Sequence, residues 1–164
     1  MSHAVIAPAA GLDRATLYAD LDRALAGLVA GERDVIANLA NAAALLYATL
    51  PDLNWAGFYL LRGAGLVVGP FQGKPACVRI ALGQGVCGTA AARRATQIVA
   101  DVHAFPGHIA CDADSNSEIV VPLIAAGRLV GVLDLDSPRP GRFDAEDGRG
   151  LEAFAARLVA ASDL

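Results

Sequence analysis

No uncharged apolar stretch of eighteen residues occurs in this chain, although 55% of its 164 residues are hydrophobic. A membrane-spanning helix is therefore not expected. The opening stretch "MSHAVIAPAAGLDR" has no positive region ahead of an apolar core. It does not read as an export signal, so the cytoplasm is the expected location. There is no Lys/Arg run, and the net charge is −4. Arg93-Arg94 is a lone pair read as part of a solvated helix face, so neither nucleic acid nor an anionic membrane is an expected partner. The chain also lacks C-x-x-C. Its three cysteines, Cys77, Cys87 and Cys111, are odd in number and argue against a structural disulfide framework. His3, His103 and His108 do not fall at zinc-finger spacing with them. His103, His108 and Cys111 share a loop but do not complete a four-ligand set, so no metal is expected. Internal repeats and linkers are absent too. What remains is one domain large enough for its own core, over residues 13–164, with residues 1–12 read as a flexible N-terminal segment.

What the chain does have is periodic order. Leu17, Leu21, Leu25 and Leu28 recur at helical spacing within 13–30, and residues 32–50 read as a second helix that stops before Pro51. Strand signals follow in "NWAGFYLLR" (54–62) and "LVVGPF", joined by Gly63-Ala64-Gly65 as a hairpin. "CVRIAL" (77–82) and "TQIVAD" (96–101) read as strands flanking a short helix at 87–95. A polar loop covers 102–117. "EIVVPLI" (118–124) and "LVGVLDLD" (129–136) form a second strand pair. A last helix covers 144–162, with Asp144 as N-cap. Strand runs beside segregated helices imply an α+β fold.

The unusual placements concern chemistry. Cys111 lies in "HIACDADSNSE", a polar loop of the length that often serves a function. It is either a nucleophilic thiol or an incidental loop cysteine, and Asp112, Asp114 and Glu118 would raise its pKa. Cys87 follows "GQGV" at a helix start, where the helix amides favour a thiolate; alternatively it is a small residue at a tight junction. "GQGVCG" lacks the spacing and the lysine of a phosphate-binding loop. Cys77 opens a strand and alone reads as a buried apolar residue. Asp134 and Asp136, two apart on a strand, share one face, with Leu133 and Leu135 on the other. Paired carboxylates repel, so one tends to keep its proton or bind a cation. Trp55 and Tyr59, four apart, also share a face if the pleat is regular. In a chain with 5% aromatics and one tryptophan, that pair suits either a core or a wall around a small apolar group.

"NWAGFYLL", "GPFQGKPACVRIALGQGVCGTAA", "HIACDADSNSEIVVPLI" and "GVLDLDSPRPGRFDAED" together resemble the GAF-domain family of free methionine-(R)-sulfoxide reductases. The resemblance runs from about Leu17 to the C-terminus. It includes cysteines separated by nine and twenty-three residues, a set most GAF domains lack. It implies a six-stranded antiparallel sheet with packed helices, often dimeric, hence a homodimer. It also implies reduction of free methionine-R-sulfoxide to methionine, with thioredoxin or a similar dithiol as reductant and no bound cofactor. By the same resemblance Cys111 matches the attacking cysteine, Cys77 the principal resolving one and Cys87 a third. Glu118, Asp134 and Asp136 match the carboxylates around the sulfoxide, and Trp55 and Tyr59 the wall near the methyl. The chemistry is coherent, because a sulfoxide oxygen must be protonated before its sulfur becomes electrophilic, and clustered acids of raised pKa supply that proton. The alternatives are a GAF module that senses a small ligand without turnover and a thiol redox sensor. The cysteine set and the lack of a following partner domain weigh against the first.

Overall fold

The long helices each begin at an aspartate. In this computed structural model, which describes residues 13–109 and 112–164, Asp13 caps α1 (Arg14–Leu28), Asp34 caps α2 (Val35–Thr49) and Asp144 caps α4 (Ala145–Ala161). Each carboxylate accepts from an otherwise unpaired amide of the first turn. Asp144 and Asp147 complete a reciprocal capping box. The second helix is expected from residue 32 but starts at Val35. Glu32 turns its carboxylate onto the amides of Arg33 and Asp34, which holds residues 32–34 outside the helix.

Six strands make one antiparallel sheet, as the resemblance implies. They are β1 (Trp55–Arg62), β2 (Gly65–Gly73), β3 (Arg79–Ala81), β4 (Gln97–Val99), β5 (Ser117–Ala125) and β6 (Arg128–Ser137). Their spatial order is β3-β2-β1-β6-β5-β4, so the centre of the sheet joins β1 to β6, strands far apart in sequence. The short helix α3 (Gly85–Arg93) lies between β3 and β4. It begins two residues earlier than the expected 87 and ends at Arg93. Arg94 follows with φ 51° in the left-handed region, which stops the helix. Both arginines are exposed. A 3-10 turn at Val102–Ala104 interrupts the expected loop.

Strand alternation sorts the two faces. Phe58, Leu60, Ile119, Val121, Leu133 and Leu135 pack with Leu21, Leu25, Leu39, Leu46, Leu151 and Phe154 of α1, α2 and α4. Each such leucine, fully buried, contributes roughly 1.5–3 kcal/mol. Under this layer Asp147 is buried and ionically satisfied: it accepts from Tyr18 at 2.8 Å and from Arg142 at 3.3 Å, and pairs with Arg14. The opposite face carries Trp55, Tyr59, Val120 and Val132 beneath α3. That smaller layer is where the polar residues converge.

Candidate active site

The pocket on the α3 face is built on the two central strands. Trp55 and Tyr59 project from β1 into it, and Asp134 and Asp136 from β6, with Glu118 beside them on β5. The β1–β6 register runs unbroken from Trp55 opposite Asp136 to Leu60 opposite Gly131, which keeps Trp55 and Tyr59 on one face. Against β2, by contrast, the pairing slips between Gly57 and Tyr59. The expected sharing of a face therefore holds for both pairs, with Leu133 and Leu135 turned to the larger core.

The aromatic wall is longer than the sequence suggests. Trp55 stacks on Tyr59 at 5.8 Å between ring centroids and on Phe71 at 5.2 Å. Such offset contacts add about 0.5–1.5 kcal/mol each beyond burial. Both polar tips are tied down. The Trp55 indole donates to the Lys74 carbonyl at 3.2 Å, and the Tyr59 hydroxyl donates to the Cys77 carbonyl at 3.0 Å. Those bonds hold the segment after β2 against the pocket. Cys77 lies two residues ahead of β3, not within a strand, because its carbonyl is taken by Tyr59 instead of a ladder partner. Cys77 is disulfide-bonded.

Opposite the aromatics stands an acidic cluster. Glu118 and Asp134 are 6% and 5% exposed, and Asp136 is half-buried. Loss of hydration raises the pKa of all three. Asp134 is pushed up to about 7, offset in part by hydrogen bonds from Cys87 and Glu118. Glu118 rises well above the usual carboxylate range through burial and then through the neighbouring Asp134. Asp136 does so through burial, Asp134 and Asp112. The Asp134 Oδ1 has no hydrogen-bond partner among the described residues. Near neutrality the cluster therefore holds protons.

Cys87 is the free thiol among the described residues, and it departs from one expectation. A helix start favours a thiolate, yet burial, then Asp134 and Glu118, push this thiol up. It is the third residue of α3, inside the helix and 4% exposed, with Sγ 4.0 Å from Glu118 Oε1. Burial first, and then the adjacent acids, outweigh the helix amides. Cys111 lies outside the described residues.

Several residues join the site without a signal in the sequence. Lys74, the chain's one lysine, reaches from the Cys77 segment to Asp112 at 3.2 Å and Asp114 at 2.5 Å. Asn54 donates to Ser115 at 2.9 Å and Asp112 at 3.3 Å. These bonds fasten the loop that follows residue 111 to the mouth of the pocket. His108 and Ile109 line the same mouth, and His108 is held toward its neutral form by burial and by His103. No helix among the described residues is long and apolar enough to cross a membrane.

Known proteins resemble this chain in sequence and fold. The GAF domain family matches residues 4–161. The free methionine-R-sulfoxide reductase of Escherichia coli is 57% identical over 147 residues, 90% of this chain and 89% of that protein. The X-ray structure of free methionine-R-sulfoxide reductase from Neisseria meningitidis in complex with its substrate superimposes with a TM-score of 0.90 at 45% identity, covering 98% of this chain and 95% of that one. The substrate complex of fRMsr of Staphylococcus aureus gives a TM-score of 0.85 at 51% identity, covering 88% and 94%.

Proposed function

Since the chain belongs to the GAF family and, within it, to the free methionine-R-sulfoxide reductases, we propose that it reduces free methionine-(R)-sulfoxide to methionine by thiol chemistry. The observation that carries this reading is the set of buried, proton-holding carboxylates facing an aromatic wall across one pocket.

The acids Glu118 and Asp136 donate a proton to the sulfoxide oxygen as Cys111 attacks, and Asp134 receives hydrogen bonds within the cluster. Oxygen passes to sulfur: the sulfoxide is reduced to methionine and the Cys111 thiol is oxidised to a sulfenic acid. The Cys77 thiol then displaces hydroxide from that sulfur, which leaves as water and leaves a Cys77–Cys111 disulfide. The disulfide-bonded state of Cys77 supports this step. Exchange with a dithiol protein, thioredoxin or similar, returns both thiols. Cys87, with its raised pKa, stays outside the main relay. Trp55 and Tyr59 bear on the substrate methyl. A cytoplasmic homodimer completes the proposal.

The test is thiol titration of reduced protein with free methionine-R-sulfoxide and no reductant. The reading expects two thiols lost and one methionine released per chain. Cys111→Ser should lose neither thiol nor sulfoxide. Cys77→Ser should release one methionine, keep a sulfenic acid on Cys111 by mass, and fail to turn over with thioredoxin. Full turnover by Cys111→Ser overturns the assignment. A severe loss in Cys87→Ser with near-normal Cys77→Ser reverses the resolving roles.

A further inference from the structure

We propose that Cys87, Glu118 and Asp134 form a binding site for a thiophilic divalent cation, Zn2+ above all, and that the cation shuts the pocket to substrate. A thiol sulfur and two carboxylate oxygens from these residues all lie within 4.8 Å of one another. The three come from different elements, α3, β5 and β6, each packed on the others, so the donors are held by the scaffold and not by a loop. All three side chains are buried.

A second observation points to a missing ligand. The Asp134 Oδ1, on a residue 5% exposed, has no hydrogen-bond partner among the described residues. Asp134 lines the pocket together with Cys87 and Glu118. A buried carboxylate oxygen without a donor costs roughly 1–3 kcal/mol, which a cation would recover.

The donor chemistry selects the metal. One sulfur and two oxygens suit Zn2+, whereas an all-oxygen set suits Mg2+ or Ca2+. Zinc bonds of about 2.0–2.3 Å place tetrahedral ligands about 3.3–3.8 Å apart, and the Cys87 Sγ–Glu118 Oε1 separation of 4.0 Å is just outside that range. Three protein ligands leave a fourth position open to the pocket. On binding, the Cys87 S–H bond breaks, a sulfur–metal bond forms, and the proton leaves to solvent with any proton held by the carboxyls; no electron is transferred. The ion then occupies the acidic wall, and a sulfoxide cannot be protonated there. The site itself does not depend on the reductase reading, because the donors are present whatever the pocket reduces.

The experiment uses the full chain with Cys77→Ser and Cys111→Ser, so that Cys87 is the one thiol, checked for fold by circular dichroism. Co2+ added without oxygen should produce thiolate-to-metal absorption that saturates at one ion per chain and is displaced by Zn2+. Adding Cys87→Ser should abolish the band. Because changes outside the ligand shell already cost 10–100-fold in affinity, Asp134→Asn or Glu118→Gln should weaken Zn2+ binding by at least about tenfold while the thiol remains. Should the serine background not fold, Glu118→Gln in the reduced, otherwise natural chain gives the same comparison by calorimetry. Absence of the band, or Zn2+ affinity unchanged in both carboxylate variants, overturns the site. Methionine sulfoxide turnover measured without metal tests the reductase reading separately.

Discussion

Glu118 sits directly opposite Asp136 across the β5–β6 ladder. Like charges at such a cross-strand position destabilise a sheet. The sheet carries the pair in its interior with raised pKa values, so the two acids oppose each other largely as neutral carboxyls.

Turnover should depend on those protons. Glu118→Gln and Asp136→Asn keep size and polarity but cannot donate an acidic proton. General acid catalysis typically contributes about 10²–10⁴-fold, and each variant should lose turnover in that range while its circular dichroism is unchanged. Steady-state kinetics with free methionine-R-sulfoxide measures it. A loss under about threefold in both would remove them from the chemistry.

The same cluster should cost stability. Asp134 is pushed up to about 7 in the fold, against about 3.9 in an unfolded chain. Between those values the folded state keeps a proton that the unfolded chain releases. The contribution of Asp134 is therefore best below about pH 4 and falls as pH rises toward 7. Asp134→Asn removes this penalty. It should be more stable than the natural chain near pH 8, by on the order of 2–4 kcal/mol, with the gap closing toward about pH 4. Urea midpoints across that range measure it, and a gap that widens toward acid would contradict the raised pKa.

Substrate scope should follow from enclosure. The loop residues bonded to Lys74 and Asn54 lie at the pocket mouth, and the expectation is that this loop admits a small amino acid and excludes a peptide chain. Free R-sulfoxide should be reduced at least about a hundredfold faster than an N-acetylated, C-amidated R-sulfoxide, a difference of about 2.7 kcal/mol. Equal rates would show an open site.

Gly57 should tolerate no side chain. A Cβ there would lie 2.3 Å from the Phe71 Cβ and 2.8 Å from the Trp55 ring. Gly57→Ala should cost about 1–3 kcal/mol by overpacking and disturb the aromatic stack, visible as a shift in tryptophan emission. Gly27, in the last turn of α1 with nothing within 4 Å, is the control: Gly27→Ala should gain up to about 1 kcal/mol.

Local periodicity makes much of the fold legible in the sequence. Leu21 and Leu25 mark the buried stripe of α1, and Asp144 is the N-cap it reads as. Period two alone places Asp134 with Asp136 and Trp55 with Tyr59, because strand pleating needs no knowledge of the partner strand. Lys74, Asn54 and Ser115 were not legible: they meet across loops, where no period exists. The protonation of Cys87 was not legible either. Its helix start argues one way, and what decides it, burial first and then the acids of β5 and β6, depends on elements later in the chain. The Cys87–Glu118–Asp134 grouping was missed for the same reason, since the histidine and cysteine spacings point to no metal set.

The β1–β6 junction at the middle of the sheet has a kinetic consequence. Trp55 is paired with Asp136, so the pocket cannot exist until the sixth strand docks against the first. Contacts of such long sequence separation close late, after the entropy of the intervening loop has been paid. Local segments such as the β1–β2 hairpin can form without it, but no fragment ending before β6 holds both the aromatic wall and the acids. A nascent chain thus exposes its cysteines before it owns any machinery to use them, and the arrival of β6 beside the one tryptophan gives refolding experiments a fluorescent clock for the birth of the site.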